Sequence, residues 1–295
     1  IGKDIIKQGY KTGRGSFKVR GLSAAVSKAK ELGIDKITLP TAGNAGGALA
    51  VYAAKAGMDA HIFMPKDAPI TNMKEVQITG AQLTLVNGLI TDAGKLSNNL
   101  AGTQGYFDVS TLKEPYRAEG KKTMGYEIAE QMNWNIPDVI IYPTGGGTGI
   151  IGIWKAMQEM EDLGWIDDKR PRMFSVQAEN CAPIVKAFSN GSKYSEPWEN
   201  ADTIAPGLRV PSPFADYLIL QILSESGGGA VDVSDKSLMD DVKIAASLDG
   251  VLMSPEGAAT ISAARKLLAK EILSPDDTVL LLNTGSTTKY FELIT

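Results

Sequence analysis

The chain has 295 residues, of which 43% are hydrophobic and 22% are charged, and its formal net charge at pH 7 is −4. This composition excludes a disordered or disulfide-stapled chain, and the length suffices for about two domains. The negative charge argues against nucleic acid as a partner, because binding a phosphate backbone requires a basic face. The single cysteine, Cys181, cannot form an intrachain disulfide, so a reducing compartment, the cytoplasm, is expected.

Short apolar runs alternate with helical stretches along the chain. Gly33, Gly57 and Gly80 each stand where a helix would end, and an apolar run follows each of them. Strands are predicted over 36–40, 60–64, 82–86, 106–109, 139–142, 174–178, 231–233 and 279–282. Helical periodicity predicts helices over 117–133, 149–162, 234–248 and 255–270. The alternation predicts an α/β fold whose mostly parallel sheets are covered by helices on both faces.

The order of these elements predicts two doubly wound domains. Residues 23–116 are assigned to a smaller, mobile domain, and residues 1–22 and 117–295 to a larger one. The first residue is Ile rather than Met, so the larger domain is expected to lack its N-terminal part. Segments 189–197 and 205–213 are rich in Gly, Ser and Pro and are predicted to be loops.

The first glycine-rich loop, residues 12–21, carries Lys18 at the start of a predicted helix. The helix dipole disfavours a cation at that end and helps to lower the pKa of the lysine, as an amine nucleophile requires. The alternative is a solvated surface lysine, which for this loop alone is the commoner case. The loop is not a Walker phosphate loop, because Gly-Lys-Ser/Thr is missing.

The second glycine-rich loop, residues 39–47, lies between a predicted strand and a predicted helix and contains Thr41, Ala42 and Asn44. Backbone N–H groups at such a turn can bind an anion. The side-chain amide of Asn44 can donate to a ring oxygen or a carboxylate. The alternative is a tight turn in which Asn44 is the N-cap of the helix.

The third loop, residues 143–152, also leads from a strand into a helix and contains three successive glycines. Glycines let the backbone approach a phosphate closely, with N–H groups pointing at it. The loop therefore fits a single phosphate on a small cofactor. It also fits the pyrophosphate of NAD, because Gly147, Gly149 and Gly152, with Glu179 at the end of the next strand, outline a dinucleotide fingerprint.

Other candidate residues favour structural roles. His61, the only histidine, lies within a predicted strand and is interpreted as a core residue. Cys181 has no histidine near it in the sequence, and no cluster of Cys and His indicates a metal site. The uncharged stretch 139–154 is interrupted by Pro143 and several glycines, so no membrane span is predicted.

Taken in order, Gly-Ser-Phe-Lys at 15–18, Thr-Ala-Gly-Asn at 41–44 and Gly-Gly-Gly-Thr-Gly at 145–149 resemble the motifs of the pyridoxal-phosphate enzymes of the tryptophan synthase β-like fold, fold type II. Within that fold, residues 114–123, Glu-Pro-Tyr-Arg-Ala-Glu-Gly-Lys-Lys-Thr, are similar to the PYR-x-EG-x-KT segment of the threonine synthase family. The similarity continues to Asn-Thr-Gly-Ser at 283–286 and spans nearly the whole chain.

The chain departs from that family at three places. Asn-Pro is absent before the lysine motif, and extra residues stand at 11–14. The loop at 145–149 has the form that also occurs in threonine and serine dehydratases of the same fold. Thr-Gly-Ser-Thr-Thr-Lys at 284–289 replaces the more usual Thr-Gly-x-Gly-Leu-Lys. These departures affect the substrate assignment more than the cofactor assignment.

The resemblance implies pyridoxal 5'-phosphate as the cofactor, with Lys18 as its covalent attachment point and as the base that takes the α-proton of the substrate. It further implies that Asn44 contacts the ring hydroxyl and that Thr284 or Ser286 faces the pyridine nitrogen. The residues implied to hold the cofactor phosphate are Gly145, Gly146, Gly147, Thr148 and Gly149. The residues implied to bind the substrate are Thr41, Ala42 and Asn44 for its carboxylate and Arg117 for its phosphate. An ion pair with Glu114 or Glu119 is the alternative for Arg117.

The activity that the resemblance implies is a lyase that converts O-phosphohomoserine and water to L-threonine and phosphate, in a homodimer with the cofactor between two domains. The nearest alternative is a threonine- or serine-type dehydratase, an ammonia-lyase of the same fold and cofactor. More remote alternatives are an NAD-dependent dehydrogenase that uses the third glycine loop, and a binding module that keeps the fold without activity.

Overall fold

The computed structural model describes residues 7–8 and 15–293 of the chain. Residues 12–14, which begin the predicted loop before Lys18, lie outside the described residues. The strands are β1 (Lys7–Gln8), β2 (Lys36–Pro40), β3 (Asp59–Pro65), β4 (Gln82–Val86), β5 (Phe107–Asp108), β6 (Val139–Pro143), β7 (Arg172–Ala178), β8 (Gly229–Val233) and β9 (Val279–Asn283). The helices are α1 (Lys18–Glu31), α2 (Asn44–Ala56), α3 (Ile70–Ile78), α4 (Ile90–Gln104), α5 (Tyr116–Gln131), α6 (Thr148–Asp162), α7 (Pro183–Ser189), α8 (Asp216–Glu225), α9 (Asp235–Asp249) and α10 (Pro255–Ala269).

The chain divides into two compact units, each with its own parallel sheet. The smaller unit takes in the described parts of Thr12–Lys121 and Lys289–Thr295. The larger unit takes in β1 and Lys122–Thr288. Across the part of the chain that the structure describes, no helix is both long and apolar enough to cross a membrane.

The sheet of the smaller unit has the strand order β4-β3-β2-β5, and all its neighbours are parallel. The chain steps outward from β2 through β3 to β4 and then returns to the other side of β2 to form β5. Because such crossovers are right-handed, this reversal places α4 on the opposite face from α2 and α3. Strands β2 and β5 therefore flank the reversal point, where open α/β sheets bind ligands at the carboxyl ends of their strands.

The core of the smaller unit lies between its sheet and the helices α1 and α2. Leu22 of α1 and Leu49 of α2 are fully buried, and burial of each such side chain contributes roughly 1.5–3 kcal/mol. Helix α2 consists largely of Ala and Gly. A methyl group on its Gly46 would lie 2.3 Å from the side chain of Met64, so the small residues are what let α2 lie close to β3.

The sheet of the larger unit has the strand order β1-β9-β6-β7-β8, again with parallel neighbours. The chain steps from β6 through β7 to β8 and returns to the other side of β6 to form β9. Strands β6 and β9 therefore flank the reversal point of this sheet. Strand β6 is buried along its whole length, as its uninterrupted apolar sequence predicts for a central parallel strand.

The predicted α/β class and every predicted strand and helix are confirmed, with ends shifted by one or two residues. Strand β1 and helices α4, α7 and α8 were not predicted. Helix α7 has only 7 residues, too few for a periodic signal. Helix α8 has the sequence DYLILQILSE, whose nearly continuous apolar run hides the helical period.

The boundaries of the two units differ from those of the predicted domains. Helix α1 packs against α2, so the start of α1 belongs to the smaller unit rather than to the larger domain. The described part of the last segment, 289–293, also belongs to the smaller unit, although it follows the last strand of the larger one. Neither assignment has a counterpart in local composition, because both depend on tertiary packing.

Candidate active site

The loop after β2 lies at the reversal point of the smaller unit's sheet and contains three predicted site residues. The hydroxyl of Thr41 accepts a hydrogen bond from the backbone N–H of Gly43 at 3.1 Å, which closes the turn. Thr41 and Ala42 are buried. Gly43 occupies the N-cap position of α2, and Asn44 is the first helical residue. The alternative in which Asn44 is the N-cap is therefore wrong.

The side chain of Asn44 is held by a tyrosine from the other end of the chain. Its Nδ2 donates to the hydroxyl of Tyr290 at 3.1 Å, within the same unit. Its Oδ1 is buried and has no hydrogen-bond partner among the described residues. The two ends of an amide have nearly the same shape, so a half-turn of this group would let Oδ1 accept from Tyr290 and free Nδ2 as a donor. No sequence signal pointed to Tyr290.

Lys18 is the first residue of α1, as predicted. Its backbone N–H donates to the hydroxyl of Ser16 at 3.3 Å. Its Nζ lies 4.7 Å from the centre of the Phe17 ring. The side chain is partly buried, which places a primary amine at the N-terminal end of a helix and against an aromatic face.

Helices α1 and α5 cross at two glycines. A Cβ on Gly120 would lie 2.3 Å from the carbonyl oxygen of Arg20, and one on Gly21 would lie 2.8 Å from that of Arg117. The close crossing brings Lys121 of α5 to the start of α1, where its Nζ donates to the Phe17 carbonyl at 2.5 Å. This explains Gly120 within the segment 114–123 by packing rather than by chemistry.

Lys121 contacts the residue before Lys18, a contact that the sequence did not indicate. Its side chain is 0% exposed. Burial lowers the pKa of Lys121 well below that of a free lysine, and the nearby cations Lys18, Arg117 and Arg20 lower it further. A fully buried lysine therefore holds the carbonyl of the residue that precedes Lys18.

Arg117 lies in the first turn of α5 and is only 2% exposed. Its Nη1 donates to the carbonyl of Val109 at 2.7 Å, just after β5. The guanidinium is therefore placed at the reversal point of the sheet. Its Nε is buried and has no hydrogen-bond partner in the part of the chain that the structure describes. Burial lowers the pKa of Arg117 to about 10, so the side chain keeps its charge at neutral pH.

Glu114 caps α5. Its carboxylate accepts the backbone N–H groups of Tyr116 at 2.6 Å and Arg117 at 3.1 Å. Burial raises the pKa of Glu114, and the N–H and the charge of Arg117 oppose that rise. The guanidinium of Arg117 hydrogen-bonds to Val109 instead, so Glu114 supports the helix start and leaves the rest of the guanidinium available.

The third glycine loop leads from β6 into α6 at the reversal point of the larger unit's sheet. Gly147 stands immediately before α6 with a φ of +79°, a conformation that glycine adopts without strain. Among the described residues, the backbone N–H groups of Gly145, Gly146 and Gly147 have no hydrogen-bond partner. Unpaired N–H groups at a helix N-terminus form an anion site.

Packing alone explains two of the loop's glycines. A Cβ on Gly149 would lie 1.9 Å from the hydroxyl of Tyr142, and one on Gly145 would lie 2.1 Å from the carbonyl oxygen of Gly207. The N–H of Gly149 donates to the Tyr142 hydroxyl, and burial raises the pKa of Tyr142. Because this N–H is already used, the donors available to an anion are those of the preceding residues.

The loop after β9 lies beside the glycine loop, because β9 pairs with β6. Thr284 and Ser286 are both buried. The hydroxyl of Ser286 accepts the backbone N–H of Thr288 at 3.3 Å and lies 2.9 Å from the Thr288 hydroxyl. The hydroxyl of Thr284 has no hydrogen-bond partner among the residues described. The larger unit thus brings the glycine loop and Thr284 to one edge of its sheet.

His61 and Cys181 are not part of these loops. Burial lowers the pKa of His61, whose Nε2 lies 2.8 Å from the Thr84 hydroxyl and whose ring stacks on Phe63. Burial raises the pKa of the Cys181 thiol to about 11, so it stays protonated. Cys181 is buried, whereas His61 is half-buried rather than a core residue as predicted.

Comparison with curated proteins finds relatives that are named threonine synthase. The chain is 35% identical to the threonine synthase of Methanosarcina acetivorans over 272 residues, which are 92% of this chain and 67% of that protein. It is 33% identical to the threonine synthase of Methanocaldococcus jannaschii over the same shares of the two chains.

Comparison with solved structures confirms the fold. A fungal L-serine ammonia-lyase from Rhizomucor miehei matches with a TM-score of 0.79 at 24% identity, covering 95% of this chain and 87% of that one. The family model described as pyridoxal-phosphate dependent enzyme matches residues 5–285. This match includes the third glycine loop, so that loop needs no dinucleotide explanation. The two curated relatives named above are threonine synthases, and the chain belongs to the family of pyridoxal-phosphate-dependent enzymes.

Proposed function

We propose that the chain is a pyridoxal-phosphate-dependent lyase, a threonine synthase that converts O-phosphohomoserine and water to L-threonine and phosphate. The two relatives of that name, 35% and 33% identical over 92% of the chain, support this reaction. One structural observation carries the proposal. Asn44 and Arg117 in the smaller unit and the glycine loop in the larger unit lie where the strand order of the sheet reverses. The Nε of Arg117, the Oδ1 of Asn44 and the N–H groups of Gly145, Gly146 and Gly147 have no hydrogen-bond partner among the described residues.

The donors of the larger unit fit the cofactor. The unpaired N–H groups of Gly145, Gly146 and Gly147, with the N-terminus of α6 at Thr148, suit its phosphate. Gly149 belongs to the same loop, and its small size lets Tyr142 lie beneath it. The hydroxyl of Thr284 would face the pyridine nitrogen, since that of Ser286 is engaged with Thr288.

The smaller unit offers the two other groups that the cofactor needs. Lys18 supplies the primary amine for covalent attachment. Asn44 supplies an amide with one buried, unpartnered end, which suits the ring hydroxyl.

Pyridoxal phosphate, when bound, supplies an electron sink that stabilises negative charge developing at the substrate's α-carbon. The neutral hydroxyl of Thr284 does not enforce protonation of the pyridine ring, which favours elimination and replacement over transamination. Lys18, as a neutral amine, takes the proton from the α-carbon. Thr41, Ala42 and Asn44 orient the substrate through its carboxylate.

Arg117 would hold the phosphate of the substrate, which is lost from Cγ before water adds at Cβ. A guanidinium offers paired donors that match a phosphate. Arg117 is charged at neutral pH, and its Nε lacks a partner among the described residues. The hydrogen bond to the buried carbonyl of Val109 fixes the orientation of the Arg117 guanidinium before the substrate binds.

The first experiment measures the cofactor and the reaction separately. The protein is loaded with pyridoxal phosphate, reduced with borohydride and digested, and the modified peptide is identified by mass spectrometry. We expect the label on Lys18, its absence in Lys18→Ala, and its retention in Lys95→Ala, which removes an exposed lysine of the same unit.

Phosphate release then tests the substrate. The loaded protein is expected to release phosphate from O-phosphohomoserine and to form threonine. A keto acid formed from threonine or serine, without phosphate release from O-phosphohomoserine, would instead identify the dehydratase. No label on Lys18 in a folded protein would contradict both enzymes.

The protein is further proposed to be a cytoplasmic homodimer. The resemblance to the threonine synthase family and the single cysteine support these two points. Light scattering behind size-exclusion chromatography measures the assembly directly, and a mass equal to one chain, 31.4 kDa, would contradict the dimer.

A further inference from the structure

Asn72 is a buried amide to which neither the sequence motifs nor the proposed reaction gives a role. It lies in the first turn of α3 and is 0% exposed. Neither its Nδ2 nor its Oδ1 has a hydrogen-bond partner among the described residues. An amide in this state loses its bonds to water without replacing them, so the folded protein is destabilised unless something else binds there.

The amide lies against the second glycine loop. A Cβ built on Gly43 would lie 3.4 Å from Nδ2 of Asn72. Gly43 separates Ala42 from Asn44, two residues proposed to bind the substrate carboxylate. The placement follows from the topology, because α3 follows β3, and β3 pairs with β2, whose carboxyl end leads into this loop.

The loop itself does not use the amide. The hydroxyl of Thr41 closes the turn onto Gly43. The backbone N–H of Asn72 donates to the carbonyl of Pro69 at 3.0 Å within its own helix start, so only its side chain is left without a partner. A donor with this placement adds to the N–H groups of the loop.

We infer that Asn72 is a substrate-binding residue whose Nδ2–H donates to the α-carboxylate of the amino-acid substrate beside the loop 41–44. The inference rests on the proposed function for the place of the substrate, and it adds a side chain to a site otherwise made of the loop. The carboxylate gives the amide its missing partner. A charge-assisted hydrogen bond of this kind is stronger than one between neutral groups.

The test compares two ligands that differ only in the carboxylate. O-phosphohomoserine and 3-aminopropyl phosphate are titrated into the cofactor-loaded protein, and binding is followed by the change in its visible absorption. In Asn72→Leu we expect O-phosphohomoserine to bind about 10- to 100-fold more weakly, and 3-aminopropyl phosphate to bind within about twofold of wild type. Equal weakening of both ligands, or of neither, would overturn the inference.

The melting temperature of the cofactor-free protein gives a second, independent readout. Leu has nearly the shape of Asn and needs no hydrogen bond, so Asn72→Leu should melt at or above the wild-type temperature. Ser175→Ala is the matched control, because the Ser175 hydroxyl is also buried without a partner among the described residues but lies within β7. Ser175→Ala should melt at the wild-type temperature, and it should bind O-phosphohomoserine and 3-aminopropyl phosphate with wild-type affinity.

Three outcomes are separable. A clearly lower melting temperature in Asn72→Leu with unchanged discrimination between the ligands would show that Asn72 is structural. A weaker affinity for pyridoxal phosphate with unchanged discrimination would show that it serves the cofactor. Both outcomes overturn the inference. If wild type binds O-phosphohomoserine but releases no phosphate from it, the proposed reaction fails while the role of Asn72 is still measured.

Discussion

Nζ of Lys121 lies 3.9 Å from the centre of the Phe17 ring and donates a hydrogen bond to the Phe17 carbonyl. A buried amine of α5 thereby fixes the residue that precedes Lys18. The crossing of α1 and α5 at Gly21 and Gly120 makes this contact possible. The position of the start of α1 is therefore fixed by Lys121, a residue of another helix.

Lys121→Met should change how stability depends on pH. Burial lowers the pKa of Lys121, so between its folded-state pKa and the unfolded value of about 10.4 the unfolded chain binds more protons. The contribution of Lys121 to the free energy of unfolding is therefore lowest at low pH. It rises with pH by up to about 1.4 kcal/mol per pH unit.

Urea unfolding of wild type and Lys121→Met between about pH 7 and about pH 9.5 checks this. Stopping there keeps the comparison below the pKa of Arg117, about 10. The difference in the free energy of unfolding should move in favour of wild type as pH rises. A constant difference would contradict a lowered pKa for Lys121, and Lys95→Met, at an exposed lysine of the same unit, is the control.

Gly147→Ala should weaken both stability and cofactor binding. The residue has a φ of +79°, and the added methyl group would lie 2.3 Å from Ile219. Strain of about 1–2 kcal/mol from the left-handed conformation and about 1–3 kcal/mol from overpacking is expected. Thermal melting and titration with pyridoxal phosphate measure the two effects.

Gly164→Ala is the control for the backbone strain alone. Gly164 has a φ of +69°, and a Cβ there would meet nothing within 4 Å. It should lose stability by about 1–2 kcal/mol and keep its affinity for the cofactor. If Gly147→Ala also kept that affinity, the loop 145–149 would not be the phosphate site.

Tyr290→Phe should disturb Asn44 without touching the glycine loop. It removes the hydroxyl that holds the Asn44 amide at 3.1 Å. One lost hydrogen bond corresponds to about 0.5–1.5 kcal/mol, so the affinity for pyridoxal phosphate should fall about 3- to 10-fold. Tyr194→Phe, at an exposed tyrosine of the larger unit, should bind as wild type does. An unchanged affinity of Tyr290→Phe for pyridoxal phosphate would contradict the proposed contact between Asn44 and the cofactor.

Arg117→Lys should act on the phosphate of the substrate alone. Lysine offers a single ammonium group, whereas the guanidinium of arginine offers paired donors that match a phosphate. O-phosphohomoserine should therefore bind about 10- to 100-fold more weakly. L-threonine, which carries no phosphate, should bind within about twofold of wild type. Arg170→Lys, on an arginine paired with Glu161 in the larger unit, is the control. If the affinities for both ligands fell equally, Arg117 would have a structural role at the start of α5 instead.

Local sequence predicted most of the fold because its signals are local. Fully buried parallel strands such as β6 have continuous apolar sequences, and glycine in the left-handed conformation marks the end of α2. Helix α8 was missed because its apolar sequence conceals which face is buried.

The candidate site likewise contains residues that local sequence predicts and residues that it does not. Lys18 and the two glycine loops could be predicted because loops at the carboxyl ends of strands carry recognisable residues in chain order. Lys121, Tyr290 and Asn72 could not. A lysine on a helix is ordinarily solvated, and only the crossing of α1 and α5 makes Lys121 buried. Tertiary contact, rather than residue type, gives these three residues their significance.

The contact between Asn44 and Tyr290 also concerns how the protein is made. The two residues are separated by 246 positions in the chain, and Lys289 beside Tyr290 forms an ion pair with Glu75 of the same unit. During synthesis the sheet of the smaller unit leaves the ribosome first, whereas these two partners emerge only after all of β9. The smaller unit therefore acquires these two contacts only late in translation, after its own sheet has been synthesised.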